Sequence, residues 1–131
     1  MSNEAVDLVR SCFEAYLRGD AEAALAAFDP QVEFDMTIRP DGRVFHGLAG
    51  VAEAMHLWTE VFDELQLEAE GFMEAGDQVL IIGKQKGHAR GSGLDVRQPF
   101  FHVATVRDGR IVHWKAFADR TEALRAAGLT E

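Results

Sequence analysis

The second half of the chain is a succession of segments in which apolar and polar residues alternate, separated by short turns. Alternation with a period of two is typical of strands that bury one face. The predicted strands cover residues 65–70, 78–90, 97–106 and 110–118. Gly91-Ser92-Gly93 and Arg107-Asp108-Gly109 are turn sequences between the last three strands. Consecutive strands joined by short turns predict an antiparallel sheet, which has to bury its apolar face against other elements.

The first half of the chain carries helical periodicity instead. A first helix is predicted over Asn3–Arg18 and ends at Gly19. Asp20 is positioned to cap a second, alanine-rich helix, which Asp29-Pro30 closes. The inward faces of these helices are predicted to be Val6, Val9, Phe13, Tyr16 and Leu17, and then Ala24, Leu25 and Phe28. A strand over 32–38 and a short return strand over 44–46 follow, and a third helix carries Val51, Met55, Trp58 and Phe62.

This order of elements predicts an α+β fold with a single domain over residues 1–131. A curved antiparallel sheet would carry the three helices of the N-terminal half on its concave face. A short C-terminal helix would follow, with Asp119 and Glu122 as a capping box and Gly128 at its end. No internal repeat, low-complexity tract or linker interrupts the chain, and 47% hydrophobic residues suffice for a core.

Charge and cysteine content exclude several classes of function. The net charge of −9 comes from 22 acidic residues against 13 Lys and Arg, so nucleic acid is not an expected partner. Apolar stretches such as Val79–Gly83 are far too short to cross a membrane. The acidic first residues predict no signal peptide, and a lone Cys12 excludes an internal disulfide and fits the reducing cytoplasm. No spacing of His, Cys or Asp predicts a metal site.

Several short motifs, in their order and spacing, resemble one known family. They are Tyr16-Leu17-Arg18-Gly19-Asp20, Phe28-Asp29-Pro30-Gln31-Val32-Glu33-Phe34, Phe45-His46-Gly47-Leu48-Ala49-Gly50-Val51, Ala75-Gly76-Asp77, Gly91-Ser92-Gly93 and the tail from Phe101 to Val112, then Asp119-Arg120 and Glu122-Ala123-Leu124. Over nearly its full length the chain is similar to the SnoaL-like (polyketide-cyclase-like) branch of the nuclear transport factor 2-like superfamily.

The resemblance implies a cone-shaped α+β roll around a ligand pocket, a homodimer with packed sheets, and no metal or cofactor. It does not imply one reaction, because such proteins include isomerases, cyclases, dehydratases, epoxide hydrolases and binding modules. Ketosteroid isomerase, of the same superfamily, uses two aspartates and a tyrosine. Met36, Cys12 and His102 align with those positions, so steroid isomerisation by that mechanism is not expected.

The turn Arg107-Asp108-Gly109 sets the register of the last hairpin. A three-residue loop would place His102 opposite Trp114, whereas a two-residue loop would place it opposite Lys115. The three-residue reading is preferred because it puts Trp114 and small alanines together. One face then carries Phe100, His102, Ala104, Val112, Trp114, Ala116 and Ala118. The other face carries Phe101, Val103, Thr105, Ile111, His113, Lys115 and Phe117, and the homodimer is expected to use Phe101, Val103, Ile111, His113 and Phe117.

His102 is the principal candidate for catalysis, since an imidazole on an apolar wall can act as general acid or base, or can bind a ligand carbonyl. A buried histidine with a structural partner is the alternative reading. Tyr16 and Asp35 are further catalytic candidates. The residues expected to bind ligand are Phe13, Phe34, Met36, His46, Met55, Trp58, Phe62, Phe100 and Trp114.

Two functional hypotheses follow. In the first, the chain is a small-molecule enzyme or a ligand-binding protein: it binds a small, largely apolar metabolite, and any reaction there is an isomerisation, dehydration or cyclisation by acid–base chemistry without a cofactor. In the second, it is a non-catalytic dimeric module whose pocket is filled by its own side chains. Convergent titratable groups in an open cavity would favour the first hypothesis.

Overall fold

A computed structural model of the chain describes residues 4–38, 42–89, 91 and 93–129. The side chains of residues 58, 59 and 61–65 lie outside the described part. The elements in chain order are α1 (Glu4–Leu17), α2 (Ala21–Leu25), β1 (Phe28–Met36), β2 (Arg43–His46), α3 (Gly47–Val61), β3 (Phe62–Ala75), β4 (Gln78–Ala89), β5 (Asp95–Arg107), β6 (Arg110–Phe117) and α4 (Arg120–Ala126). The predicted α+β class, with three helices before the long strands and one after them, is confirmed.

The strands form one curved, unclosed sheet in the order β2-β1-β6-β5-β4-β3. Neighbouring strands are antiparallel except for β1 and β6, which run parallel, with Phe34 opposite Trp114. The prediction of a wholly antiparallel sheet is therefore wrong at this one pair. No hairpin joins β1 to β6, so no short turn forces them to run in opposite directions.

The helices divide between the two faces of the sheet. On the concave face, α1 and α3 bury Val9, Phe13 and Val51 in the main core, together with the inward residues of β1, β5 and β6. On the convex face, α4 covers Leu80 and Val103 in a smaller apolar cluster. Because α4 covers part of the convex face, a ligand site is expected between the helices and the concave face.

Local boundary signals in the sequence are largely confirmed. Asp20 Oδ1 accepts a hydrogen bond from the Ala23 amide at 3.1 Å, and Asp119 Oδ1 accepts one from the Glu122 amide at 2.8 Å. These bonds satisfy backbone donors that the first helical turn leaves without an intrahelical partner. Leu17, predicted to face inward, is 45% exposed at the end of α1.

Two predicted helix residues belong to strands instead. Phe28 opens β1 because it pairs with Ile111 of β6, and the Ile111 amide also donates to the Ala27 carbonyl at 2.8 Å. The second helix therefore ends at Leu25, ahead of Asp29-Pro30. Phe62, predicted on the third helix, is the first residue of β3, where it pairs with Ala89. In both cases a partner strand, distant in sequence, overrides the helical pattern.

The register of the last hairpin differs from the three-residue prediction. Arg107 pairs with Arg110 across a two-residue turn, in which Asp108 and Gly109 have φ of 52° and 75°. A β-bulge then places an extra residue, Val112, in β6. His102 consequently faces Ala116 rather than Trp114.

Together the turn and the bulge displace the predicted pairing beyond Thr105 by two residues. An even displacement leaves each side chain on the face that alternation assigns. His102 and Trp114 therefore still share the concave face, although Trp114 lies opposite Ala104. Ile111 lies on the turn side of the bulge and is fully buried in the main core, so its predicted place on the dimer face is wrong.

Candidate ligand pocket

A cavity of about 460 Å³ lies between the helices and the concave face of the sheet. Its volume is in the range of small-molecule sites. The lining residues are Cys12, Phe13, Tyr16, Phe28, Phe34, Met36, Ile38, Ala54, Met55, Gln85, Gln98, Pro99, Phe100, His102, Trp114, Ala116, Phe117 and Ala118. Exposed Ile38, Gln98, Pro99 and Ala118 mark its mouth.

Aromatic rings form the flat walls of the cavity. Trp114 stacks on Phe34 with ring centroids 5.8 Å apart and an interplanar angle of 23°. This stacking follows from the parallel β1–β6 pair, which sets the two residues side by side. Phe28 packs against both rings, at 6.1 Å from Phe34 and 6.0 Å from Trp114. A planar apolar molecule would match such walls.

His102 is the polar centre of the cavity. Trp114 Nε1 donates a hydrogen bond to His102 Nδ1 at 2.9 Å. Indole nitrogen only donates, so Nδ1 is the accepting nitrogen and the proton of the neutral ring is on Nε2. Burial lowers the pKa of His102 to about 4, which keeps the imidazole neutral at physiological pH. The ring is therefore a hydrogen-bond donor through Nε2–H.

Tyr16 brings a second polar group, a phenol, to the same cavity from the last turn of α1. Burial raises the pKa of Tyr16 to about 12, so its phenol stays protonated near pH 7. Cys12, one turn earlier, also lines the cavity, and burial raises the pKa of its thiol to about 12. The thiol donates to the Ala24 carbonyl at 3.5 Å, and both features are typical of an unreactive buried cysteine.

Two glutamines complete the polar lining and were missed from the sequence. Gln85 is buried and pairs with Gln98 across β4 and β5. Alternation along β4 could have found Gln85, because it shares a face with Ile81 and Gly83. None of the described lining residues is Asp, Glu, Lys or Arg. The cavity therefore offers uncharged polar groups within an apolar surface.

Nine residues were predicted to bind ligand, and the structure describes the side chains of seven of them. Phe13, Phe34, Met36, Met55, Phe100 and Trp114 line the cavity. His46 is exposed at the end of β2 and does not line it. The side chains of Trp58 and Phe62 fall outside the described part of the chain.

Asp35 lies on the face of β1 opposite the cavity. Its carboxylate accepts hydrogen bonds from the Thr37 hydroxyl at 2.6 Å and the Thr37 amide at 2.9 Å. Lys115 Nζ lies 3.7 Å from it. Burial by itself would raise the pKa of Asp35, but the Thr37 hydrogen bonds and the nearby positive charges outweigh it and hold the pKa below its ordinary value. That position does not bring the carboxylate to a ligand in the cavity.

Glu33, Asp35 and His113 form the one group of described residues with the ligand atoms for a metal ion. These atoms lie within 4.8 Å of one another on the convex face. The parallel β1–β6 pairing brings them together, so no spacing along the chain could predict the group. His113 Nε2 is 3.4 Å from Glu33, and Lys115 Nζ is 3.7 Å from Asp35, so side chains of the chain itself already contact both acidic groups.

The curved sheet, the helices on its concave face and the enclosed apolar cavity define the nuclear transport factor 2-like class of α+β proteins. Within this class the chain belongs to the SnoaL-like domain family, whose sequence pattern matches residues 9–114. The predicted family is therefore confirmed. No curated protein matches the chain significantly in sequence.

Solved structures extend the similarity over almost the whole chain. An NTF2-like protein of unknown function from Burkholderia pseudomallei is 28% identical, with a TM-score of 0.78 over 95% of this chain and 97% of its own. An NTF2-like protein from Burkholderia thailandensis is 25% identical, with a TM-score of 0.81 over 98% of each chain. TerC, co-crystallised with polyporic acid, is 23% identical, with a TM-score of 0.76 over 95% of this chain and 97% of its own.

Among the helices of the described residues, none combines the length and apolar character that a membrane span requires.

Proposed function

We propose that this chain binds a neutral, flat, largely apolar small molecule that carries a carbonyl oxygen. The observation that carries the proposal is the Trp114–His102 hydrogen bond, which leaves the imidazole proton on Nε2. A neutral donor inside an aromatic cavity is suited to an uncharged acceptor such as a ketone. An ionised ligand is disfavoured, because no described lining residue carries an opposite charge.

The similarity to TerC supports small-molecule binding in this fold. That protein was crystallised with polyporic acid, and it shares the fold over nearly the full length of both chains. The cavity volume of about 460 Å³ leaves room for a molecule of two or more fused rings. A pocket filled entirely by its own side chains, the alternative hypothesis, would not leave such a volume.

Binding is tested with two matched probes, 2-acetylnaphthalene and 2-ethylnaphthalene, which differ by the carbonyl oxygen. We expect the wild type to prefer the ketone by about fivefold to tenfold, the worth of one buried hydrogen bond. His102→Asn retains an acceptor near Trp114 but shortens the reach of the donor, so the preference should disappear. Titration followed by tryptophan fluorescence gives both affinities. An equal preference in the wild type and the variant would refute the role of His102.

A catalytic function is a second candidate, favoured by the same neutral imidazole. A donor at the carbonyl oxygen stabilises the enolate that forms when an α-proton leaves, as isomerisation, dehydration and cyclisation each require. The His102 ring is neutral and its Nδ1 already accepts from Trp114, and the Tyr16 phenol stays protonated near pH 7, so water or the ligand itself has to accept the proton. Hydrogen–deuterium exchange at the methyl group of 2-acetylnaphthalene in D₂O tests this. Equal exchange rates with the wild type and His102→Asn would leave binding as the function.

We also propose that two copies associate through the convex face. Val103, expected at the interface, is covered by α4 within the chain, and Ile111 lies in the core. Phe101 and His113 remain partly exposed on this face and form the revised surface, whereas Phe117 also lines the cavity. Sedimentation should give twice the 14.5 kDa chain mass, and Phe101→Glu should give single chains. A wild type that sediments as a single chain would rule the dimer out.

A further inference from the structure

Phe13 forms a boundary between the cavity and a second hollow on the surface. This hollow, the α1–β3 groove, has a volume of about 470 Å³ and is lined by the outer side of α1 and residues 67–72 of β3. Of the described residues, Phe13 alone lines both the cavity and the groove. The side chain itself is 5% exposed. One phenyl ring therefore separates two spaces of similar size.

Neighbouring rings hold Phe13 in this position. Phe72 of β3 meets it edge-on, with centroids 6.3 Å apart and an angle of 77°. Phe100 of β5 lies on its other side at 6.0 Å. Phe72 is itself covered by the Arg10 guanidinium, 5.1 Å from the ring centroid. The partition is thus a row of three rings reaching from β5 to the edge strand β3.

The row depends on a glycine beneath it. A Cβ added at Gly83 of β4 would overlap the Phe100 ring and the Glu68 carbonyl oxygen, so the missing side chain makes room for Phe100. The β-bulge in β3 between Ala69 and Gly71 interrupts the outer edge of the sheet in the same region. Together these features leave a wall that is one ring thick. A side chain at Gly83 would displace the Phe100 ring from this wall.

Ring contacts connect this wall to the polar centre of the cavity. Phe100 and His102 have centroids 5.1 Å apart, and Phe13 follows Phe100 at 6.0 Å. We propose that Phe13 is the residue that determines ligand length: an apolar tail on a carbonyl held by His102 stops at this ring, with the α1–β3 groove beyond it. This inference rests on the proposed function for its ligand, but the partition itself does not.

The ligand test uses 2-acylnaphthalenes with acyl chains from two to ten carbons. Each methylene buried in an apolar site raises affinity about fourfold. We expect Phe13→Ala to bind 2-octanoylnaphthalene at least tenfold more tightly, relative to 2-acetylnaphthalene, than the wild type does. Phe13→Leu, a smaller change, should shift the ratio in the same direction and covers the case in which the alanine variant does not fold. An unchanged ratio in both variants would overturn the inference.

The partition is also tested without a ligand, through Cys12, the only cysteine of the chain, which lines the cavity. Removing the Phe13 ring should open a route from the groove and speed modification of Cys12 by methyl methanethiosulfonate several-fold, measured by mass spectrometry. Val9→Ala is the matched control, because Val9 is fully buried on the same helix and lines neither space. Equal rates in the Phe13 variants and Val9→Ala would refute the partition.

The two tests separate the failure of each proposal. The ketone preference could depend on His102 while the affinity ratio of long to short ketones and the rate of Cys12 modification are unchanged in the Phe13 variants. In that case the proposed function stands and the role of Phe13 in ligand length is refuted. If no 2-acylnaphthalene binds, the proposed function fails, and Cys12 modification alone decides whether Phe13 divides the two spaces.

Discussion

Acidification from pH 7 to pH 5 should lower the free energy of unfolding through the buried His102. Burial holds the pKa of His102 near 4 in the folded state, against 6.5 for the unperturbed group. Between these values the unfolded chain binds a proton that the folded chain does not, so stability falls as pH falls. One pKa unit corresponds to about 1.4 kcal/mol, so moving from pH 7 to pH 5 should cost about 2 kcal/mol at this residue.

Urea unfolding at pH 7 and pH 5 measures the effect in the wild type and His102→Asn. Carboxylates also titrate on this path, so the informative quantity is the difference between the two proteins in their loss of unfolding free energy. We expect the wild type to lose about 2 kcal/mol more than His102→Asn. His56→Asn is the matched control, because His56 lies on α3 with its side chain 70% exposed, and it should follow the wild type.

Equal losses in the wild type and His102→Asn would refute the reasoning. His102 would then bind its proton equally well in both states, so burial would not hold the imidazole in its neutral form as the pH falls to 5. If His56→Asn also lost less unfolding free energy than the wild type between pH 7 and pH 5, the effect would not be specific to the buried histidine.

Three further predictions concern stability and are measured by urea unfolding at pH 7. Trp114→Phe removes the donor to the His102 ring and should cost about 1 kcal/mol or more; no loss would mean the bond contributes nothing. Gly83→Ala should lower the unfolding free energy by about 1–3 kcal/mol, because the added methyl group overlaps the Phe100 ring and the Glu68 carbonyl oxygen. Gly71→Ala is the control, because a methyl group there meets nothing within 4 Å, and equal losses in the two variants would contradict this reasoning. Asp119→Ala should cost about 1 kcal/mol as a lost helix cap, and a neutral result would show that α4 does not need it.

Local chemistry in the sequence predicts most of the elements and their faces. Asp20 and Asp119 identify helix starts because a carboxylate accepts hydrogen bonds from the first amides of a helix wherever the helix lies. Alternation in β1 and β6 predicts that Phe34 and Trp114 face inward, and both are buried. These features depend on residues within a few positions of one another.

The candidate site was predicted only in part, for the same reason. Alternation assigns His102 to the concave face, and helical spacing assigns Phe13 and Tyr16 to the inner side of α1, so their convergence on one cavity could be expected. Gln85 could have been found from alternation along β4. Asp35 could not be excluded until the fold showed that its face of β1 meets Lys115 rather than the helices.

By itself, then, the sequence determined most element types, the buried faces and the family. Tertiary structure alone decided which residues meet across elements. The parallel pairing of β1 with β6 stacks Phe34 on Trp114, and the turn and bulge place Trp114 diagonally across from His102, where its indole donates to the imidazole. Periodicity records which face a side chain takes but not which strand lies beside it. Pairing and register depend on the packing of the whole sheet, and they set the hydrogen bond that defines the chemistry of the cavity.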